Sequence, residues 1–143
     1  MTCADTSFLF SLYGADAHTP KARSWMAKQK KPLAIHPLND AELVNAIHLS
    51  VFRQVQPAAD GDAILQAWQA DTAARRLVMH TLPLADLVAE SVRLANKHTR
   101  ARGYRIFDMM HVACALLIGA DTLLSFDSAQ RALAKAEGLK VAP

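Results

Sequence analysis

Four acidic residues, Asp5, Glu42, Asp108 and Asp127, each stand where an apolar segment of the sequence passes into a helical pattern. Carboxylates are hard oxygen donors, and four crowded together repel one another unless a divalent cation neutralises them. If the apolar segments are strands of one parallel sheet, the acids gather at its carboxyl edge, and the chemistry they point to is metal-dependent hydrolysis. Each acid also has a purely structural reading. Asn39 with Glu42 and Asp127 with Gln130 have the spacing of a capping box, while Asp5 and Asp108 can each cap the helix that follows.

The elements that must position these groups alternate. Strands are expected over residues 2–4, 32–38, 77–82, 122–126 and 139–142. Helices are expected over 6–13, 19–29, from Asn39 through Val51, over 60–75, as one long amphipathic helix over 84–102, and over 107–118 and 128–137. Pro20 suits a first helical turn, and Gly14, Gly103 and Gly119 are natural stops. Strands alternating with longer helices call for an α/β fold, a mostly parallel sheet covered by helices on both faces. The segment 107–118 is apolar nearly all round, which predicts a buried helix whose only strongly polar residues, Asp108 and His111, share a face.

Composition bounds the rest. At 143 residues, with 52% hydrophobic and 20% charged residues, the chain suits one folded domain rather than two or a disordered segment. The longest apolar run, 112–120, is too short to span a bilayer, and neither a basic leader nor an apolar signal region precedes Asp5, so a cytoplasmic protein is expected. Cys3 and Cys114 lack Cys-x-x-Cys spacing and read as buried free thiols. The sequence contains no His-Glu-x-x-His motif and no Ser-His-Asp or Cys-His arrangement. The net charge of +3 includes the four acids, so the remaining surface is more basic and suits a polyanion held by its phosphates. Arg100, Arg102 and Arg105, and Lys28, Lys30 and Lys31, suit either phosphate contact or an ordinary solvated surface. Trp25 and Trp68 lie within helical patterns and read as packing residues.

Asp5-Thr6-Ser7, with Phe8, Leu9 and Leu12 behind it, resembles the opening motif of PIN-domain nucleases, and the nearest type is the VapC-like toxin of type II toxin-antitoxin pairs. Glu42 falls where that family has its second acid. Phe107-Asp108-Met109-Met110-His111-Val112-Ala113 resembles the third motif and Leu124-Ser125-Phe126-Asp127 the fourth, with serine at 125 where threonine is more usual. The likeness covers nearly the whole chain; residues 54–76 are its least diagnostic part.

The resemblance implies a single PIN domain over residues 1–143, a three-layer α/β/α unit around a central sheet of four to five strands. It implies a metal-dependent endoribonuclease that uses Mg²⁺ or Mn²⁺ and a metal-activated water to hydrolyse RNA, leaving a 5′-phosphate. Asp5, Glu42, Asp108 and Asp127 would be the catalytic set, with Asp5 and Asp108 as direct metal ligands. Glu42 and Asp127 would act directly, through water or on a second ion. Thr6 and Ser7 either position a ligand or support the turn, and His111 either orients Asp108, touches substrate or makes a structural hydrogen bond in the core. The expected partners are an RNA substrate, a cognate antitoxin that blocks the acidic pocket, and a second copy in a homodimer. Phe8, Phe10, Leu12, Tyr13 and Trp25 are candidate apolar contact sites for such partners. Two other readings stay open: a non-catalytic interaction module on the same fold, and a phosphatase of the haloacid dehalogenase type. The phosphatase normally needs a second aspartate where this chain has Ser7.

Overall fold

The structure is a computed structural model and describes residues 1–143. Five short strands, β1 (Thr2–Ala4), β2 (Leu33–Ile35), β3 (Leu77–Met79), β4 (Thr122–Leu124) and β5 (Lys140–Ala142), pair in the order β3-β2-β1-β4-β5. Every pairing is parallel. The first strand is central, so the residues that follow β1 and its neighbour β4 emerge side by side. Cys3 aligns with Ala34 on one flank, and Ala4 aligns with Leu124 on the other.

Side chains alternate across a strand, and here the alternation sorts the interior into two cores. Cys3, Ala34 and Leu123 point to one face, where they pack with Leu87, Leu94, Met109, Val112 and Leu133. Ala4, Leu33, Ile35 and Leu124 point to the other, against Phe8, Leu9, Leu43, Ile47 and Trp68. The first core is covered by α5 (Leu84–Leu94), α7 (Ile106–Leu117) and α8 (Ser128–Ala136), and the second by α1 (Thr6–Tyr13), α2 (Thr19–Ala27), α3 (Pro37–Phe52) and α4 (Ala58–Ala73). This is the expected three-layer α/β/α arrangement with a parallel five-stranded sheet. Both cysteines are free and buried, and burial pushes the Cys114 thiol up to about 12, so both are packing groups rather than nucleophiles.

Several boundaries differ from the sequence expectation. The second strand ends at Ile35 rather than 38, and α3 opens at Pro37 with His36 as its cap, so Asn39 is inside the helix. Pro fits this first helical position because no backbone partner is needed there. The capping pattern is displaced accordingly: the Asn39 side chain accepts from the His36 backbone N–H at 2.9 Å, and Glu42 takes no part in it. The long helix expected over 84–102 is interrupted. A π-helical turn, Ala95–Thr99, links α5 to the short α6 (Arg100–Arg102), and Gly103, at φ +67°, ends it in the left-handed conformation glycine adopts freely. Its buried face is Leu87, Ser91 and Leu94, while Leu84, Val88 and Val92 are exposed. No helix is long and apolar enough to cross a membrane.

Candidate active site

The junction of β1 and α1 places Asp5 at the carboxyl edge of the central strand, where its side chain is fully buried. It caps α1 by accepting from the Phe8 N–H at 2.8 Å. Two hydroxyls complete the cradle. The Ser7 hydroxyl donates to the carboxylate at 2.8 Å and lies 3.0 Å from its second oxygen, to which the Ser125 hydroxyl donates at 2.7 Å. Ser125 is brought here by register, because it follows Leu124, the partner of Ala4. Both serines face the other way as acceptors: Ser7 takes the N–H groups of Phe126 (2.8 Å) and Asp127 (3.2 Å), and Ser125 takes that of Asp127 (3.0 Å). Thus the two serines tie Asp5 to the backbone of Asp127, whose own carboxylate caps α8 through the Gln130 N–H at 2.8 Å.

Every donor to Asp5 is electrically neutral. Burial pushes its carboxyl above the ordinary aspartate value, and the hydrogen bonds from Phe8, Ser125 and Ser7, with the nearby His111, pull only partly against that rise. Three protons serve a group with about four lone-pair sites, so the neutral donors do not saturate it.

A second network holds Glu42. The Thr6 hydroxyl donates to it at 2.6 Å, and the same oxygen is in short contact with His111 Nε2. The other His111 ring nitrogen lies 3.3 Å from His36 Nε2, and His36 Nδ1, though buried, has no partner. Burial, then the neighbouring His111, depress His36 to about 3, so it is neutral at physiological pH. For Glu42 burial acts upward, but the hydrogen bonds from His111 and Thr6 outweigh it and hold the carboxyl below the ordinary glutamate value. His111 therefore engages Glu42, not Asp108, despite sharing a helix with the latter. Asn39 closes this network by donating to the Thr6 hydroxyl at 3.3 Å while its amide oxygen accepts from the His36 N–H.

Asp108 is buried in the first turn of α7, one turn before His111. It does not cap that helix, since Arg105 occupies the cap position and the Arg105 guanidinium reaches back to Asp108 at 3.3 Å. Of the basic groups singled out in the sequence, only this arginine touches a candidate acid. Lys30 and Lys31 line a hollow with Arg75 and Arg76. These residues precede β2 and β3, so they sit at the amino edge of the sheet, opposite the acids.

No group of three or more His, Cys, Asp or Glu side chains is arranged to hold a metal ion. The individual donors nonetheless suit a hard cation: they are carboxylates and hydroxyls, and Asp5 is a buried carboxyl whose hydrogen-bond donors are all neutral. Sequence reasoning missed His36, which it placed inside a strand, and the role of Ser125 as a donor to Asp5. A histidine between an apolar strand and a proline was the available signal for the first. Of the candidate contact residues, Phe8 is interior, and Phe10, Leu12, Tyr13 and Trp25 are half-buried against the second core.

Comparison with solved structures finds the same fold over the whole chain. VapC20 of Mycobacterium tuberculosis, described as a sarcin-ricin loop cleaving toxin, is 19% identical with a TM-score of 0.73, and the match covers 100% of each chain. PAE2754 of Pyrobaculum aerophilum is 23% identical with a TM-score of 0.66, covering 98% of this chain and 82% of that one. FitAcB of Neisseria gonorrhoeae is 15% identical with a TM-score of 0.70, covering 100% and 97%. Comparison with curated proteins gives no match. The PIN domain profile matches residues 2–136, and the chain belongs to the PIN domain family.

Proposed function

We propose that this protein is a metal-dependent endoribonuclease, the toxin of a toxin-antitoxin pair acting in the cytoplasm. The observation that carries the reading is Asp5, a fully buried carboxylate at the central sheet edge with only neutral donors around it. A protein that needed only a helix cap there would not have to bury a charge against its own desolvation cost. Membership of the PIN domain family and the likeness to a toxin that cleaves RNA support the same chemistry.

Asp5 and Asp108 would hold Mg²⁺ or Mn²⁺. When bound, such an ion lowers the pKa of a water and offsets charge on phosphoryl oxygens. The chain's own residues set the stage. Ser7 and Ser125 keep the Asp5 carboxylate oriented, and Thr6 and His111 hold Glu42 ionised, ready to accept a proton or to hold a water. Asp127 adds negative charge beside the Ser7 and Ser125 pair. Partners are an RNA substrate, a cognate antitoxin and a second copy of the chain; the exposed apolar stripe Leu84, Val88 and Val92 on α5 is the surface offered to another protein.

Defined RNAs, including a sarcin-ricin loop fragment and transfer RNA, incubated with Mg²⁺, Mn²⁺ or chelator, test the proposal. Cleavage is expected only with metal, and Asp5→Asn or Asp108→Asn abolishes it while the protein remains folded. Because burial disfavours the Asp5 charge, Asp5→Asn keeps or raises thermal stability in chelator. Cleavage undiminished in both variants rejects the site. Folded wild-type protein that cleaves nothing under any metal favours the non-catalytic module.

A further inference from the structure

A cleft of about 360 Å³ opens directly beside the Asp5 cradle, lined among others by Thr6, Ser7, Asp16, His18, Phe126 and Asp127. One wall is a ladder of aromatic rings that climbs from the core. The ring of buried Phe8 meets Trp25 edge-on at 5.8 Å and lies under Phe126 at 6.0 Å, with 21° between the planes. His18 also stacks on Phe126, at 4.4 Å with planes within 8°, and His18 is exposed. Its imidazole is thus held flat against a ring that is itself packed on the core, while the residue stays open to solvent.

The segment carrying His18 is also fixed. Asp16 accepts from the backbone N–H groups of His18 (2.8 Å) and Thr19 (2.9 Å), and from the Ser11 hydroxyl at 2.7 Å. His18 makes no side-chain cap for α2, so its ring placement is not explained by helix capping. Phe126 immediately precedes Asp127, and its backbone N–H is held by the Ser7 hydroxyl that also binds Asp5. The platform therefore shares one cleft with Ser7 and Asp127.

We propose that the His18–Phe126 stack is a nucleobase platform: one unpaired base of a single-stranded RNA segment stacks on His18 and sets the adjoining phosphate at the acidic site. This rests on the nuclease reading for its substrate class. A flat, π-faced ligand is what a rigid planar ring selects, and bases splayed from loops or single strands are recognised this way. The hydroxyl and carboxylate lining of the cleft supplies hydrogen-bonding partners to a base edge.

The test uses the full chain in chelator and a short single-stranded RNA carrying the fluorescent base 2-aminopurine, moved one position at a time. Stacking quenches that base at one position on binding wild-type protein; His18→Ala removes the quench and His18→Phe restores it. In metal-containing buffer His18→Ala raises KM about 5- to 50-fold, and an abasic nucleotide at the quenched position erases the difference between variant and wild type. A quench without cleavage of any RNA supports the platform while overturning the nuclease reading. Cleavage with no quenched position, or with KM unchanged in a folded His18→Ala, overturns the platform and leaves the nuclease standing. Rescue of His18→Ala binding by His18→Lys instead of His18→Phe also overturns it, because charge rather than stacking would then hold the RNA.

Discussion

The Ser125 hydroxyl is the most informative single group to remove. It is fully buried, donates to Asp5 at 2.7 Å and accepts from the Asp127 N–H at 3.0 Å. Ser125→Ala changes almost no volume, so the cost is polar. A hydrogen bond to a charged group contributes about 1.5–3 kcal/mol, whereas a neutral one contributes about 0.5–1.5 kcal/mol. The Asp127 N–H keeps the Ser7 oxygen at 3.2 Å, so that loss is partial. We expect Ser125→Ala to cost about 2 kcal/mol at neutral pH, or roughly 4–8 °C in Tm for a chain of this size. In an Asp5→Asn background the same change should cost about 1 kcal/mol, leaving a coupling of about 1 kcal/mol between the two positions. The sign with pH follows from burial, which raises Asp5 in the native state above its unfolded value. The native state then holds that proton more tightly, and this group's contribution to stability falls as pH rises from the unfolded value through the folded one. Removing a donor to the charged form raises the folded value further, so the Ser125→Ala penalty grows with pH and shrinks in acid. Urea titrations of the four proteins of the cycle, in chelator at acid and neutral pH, measure this. A coupling under about 0.3 kcal/mol, within ordinary additivity error, or a penalty that grows toward acid, would refute a charged Asp5 cradled by Ser125.

Two further outcomes test other parts of the molecule. Glu137, nearly buried at the end of α8, is contacted by Arg93 (2.6 Å), Lys97 (2.9 Å) and His98 (2.5 Å), which clamp the π-helical turn to the C-terminal helix. Burial opposes the charge, yet His98, Arg93 and Lys97 hold the carboxyl down at about 2. Its contribution is therefore present above the ordinary glutamate value and lost as pH falls toward 2. Arg93 and Lys97 are about half exposed and screened, so Glu137→Gln should cost about 1 kcal/mol, less at high salt; a salt-independent loss in denaturant melts would contradict this. His111→Leu removes the main hydrogen bond that keeps Glu42 ionised, so its carboxyl titration, followed by carbon NMR, should move upward toward the ordinary value. An unmoved Glu42 would deny His111 its positioning role.

Much of the site could be read before folding because its residues sit at junctions. Asp5 and Asp127 follow short apolar segments of strand length, and parallel strands of one sheet present their carboxyl ends at one edge. The buried character of α7, and hence of Asp108 and His111, was equally plain from apolar residues on every side of one helical stretch. Boundaries were less accessible. The helix expected to open at Asn39 opens at Pro37, because a proline needs no amide partner in the first turn and His36 was free to cap it. Along α5 helical spacing alone does not decide which side is covered: Leu87, Ser91 and Leu94 are buried, while Leu84, Val88 and Val92 stay exposed.

Local chemistry thus announced which carboxylates the protein carries and that an α/β sheet would present them, since strand and helix periods are properties of consecutive residues. The partners of those carboxylates were settled by packing alone. Ser125 meets Asp5 across 120 positions and His111 meets Glu42 across 69, and such contacts arise from sheet register and helix placement, which no stretch of neighbouring residues encodes. The same holds for His18, whose ring meets Phe126 from the far end of the chain.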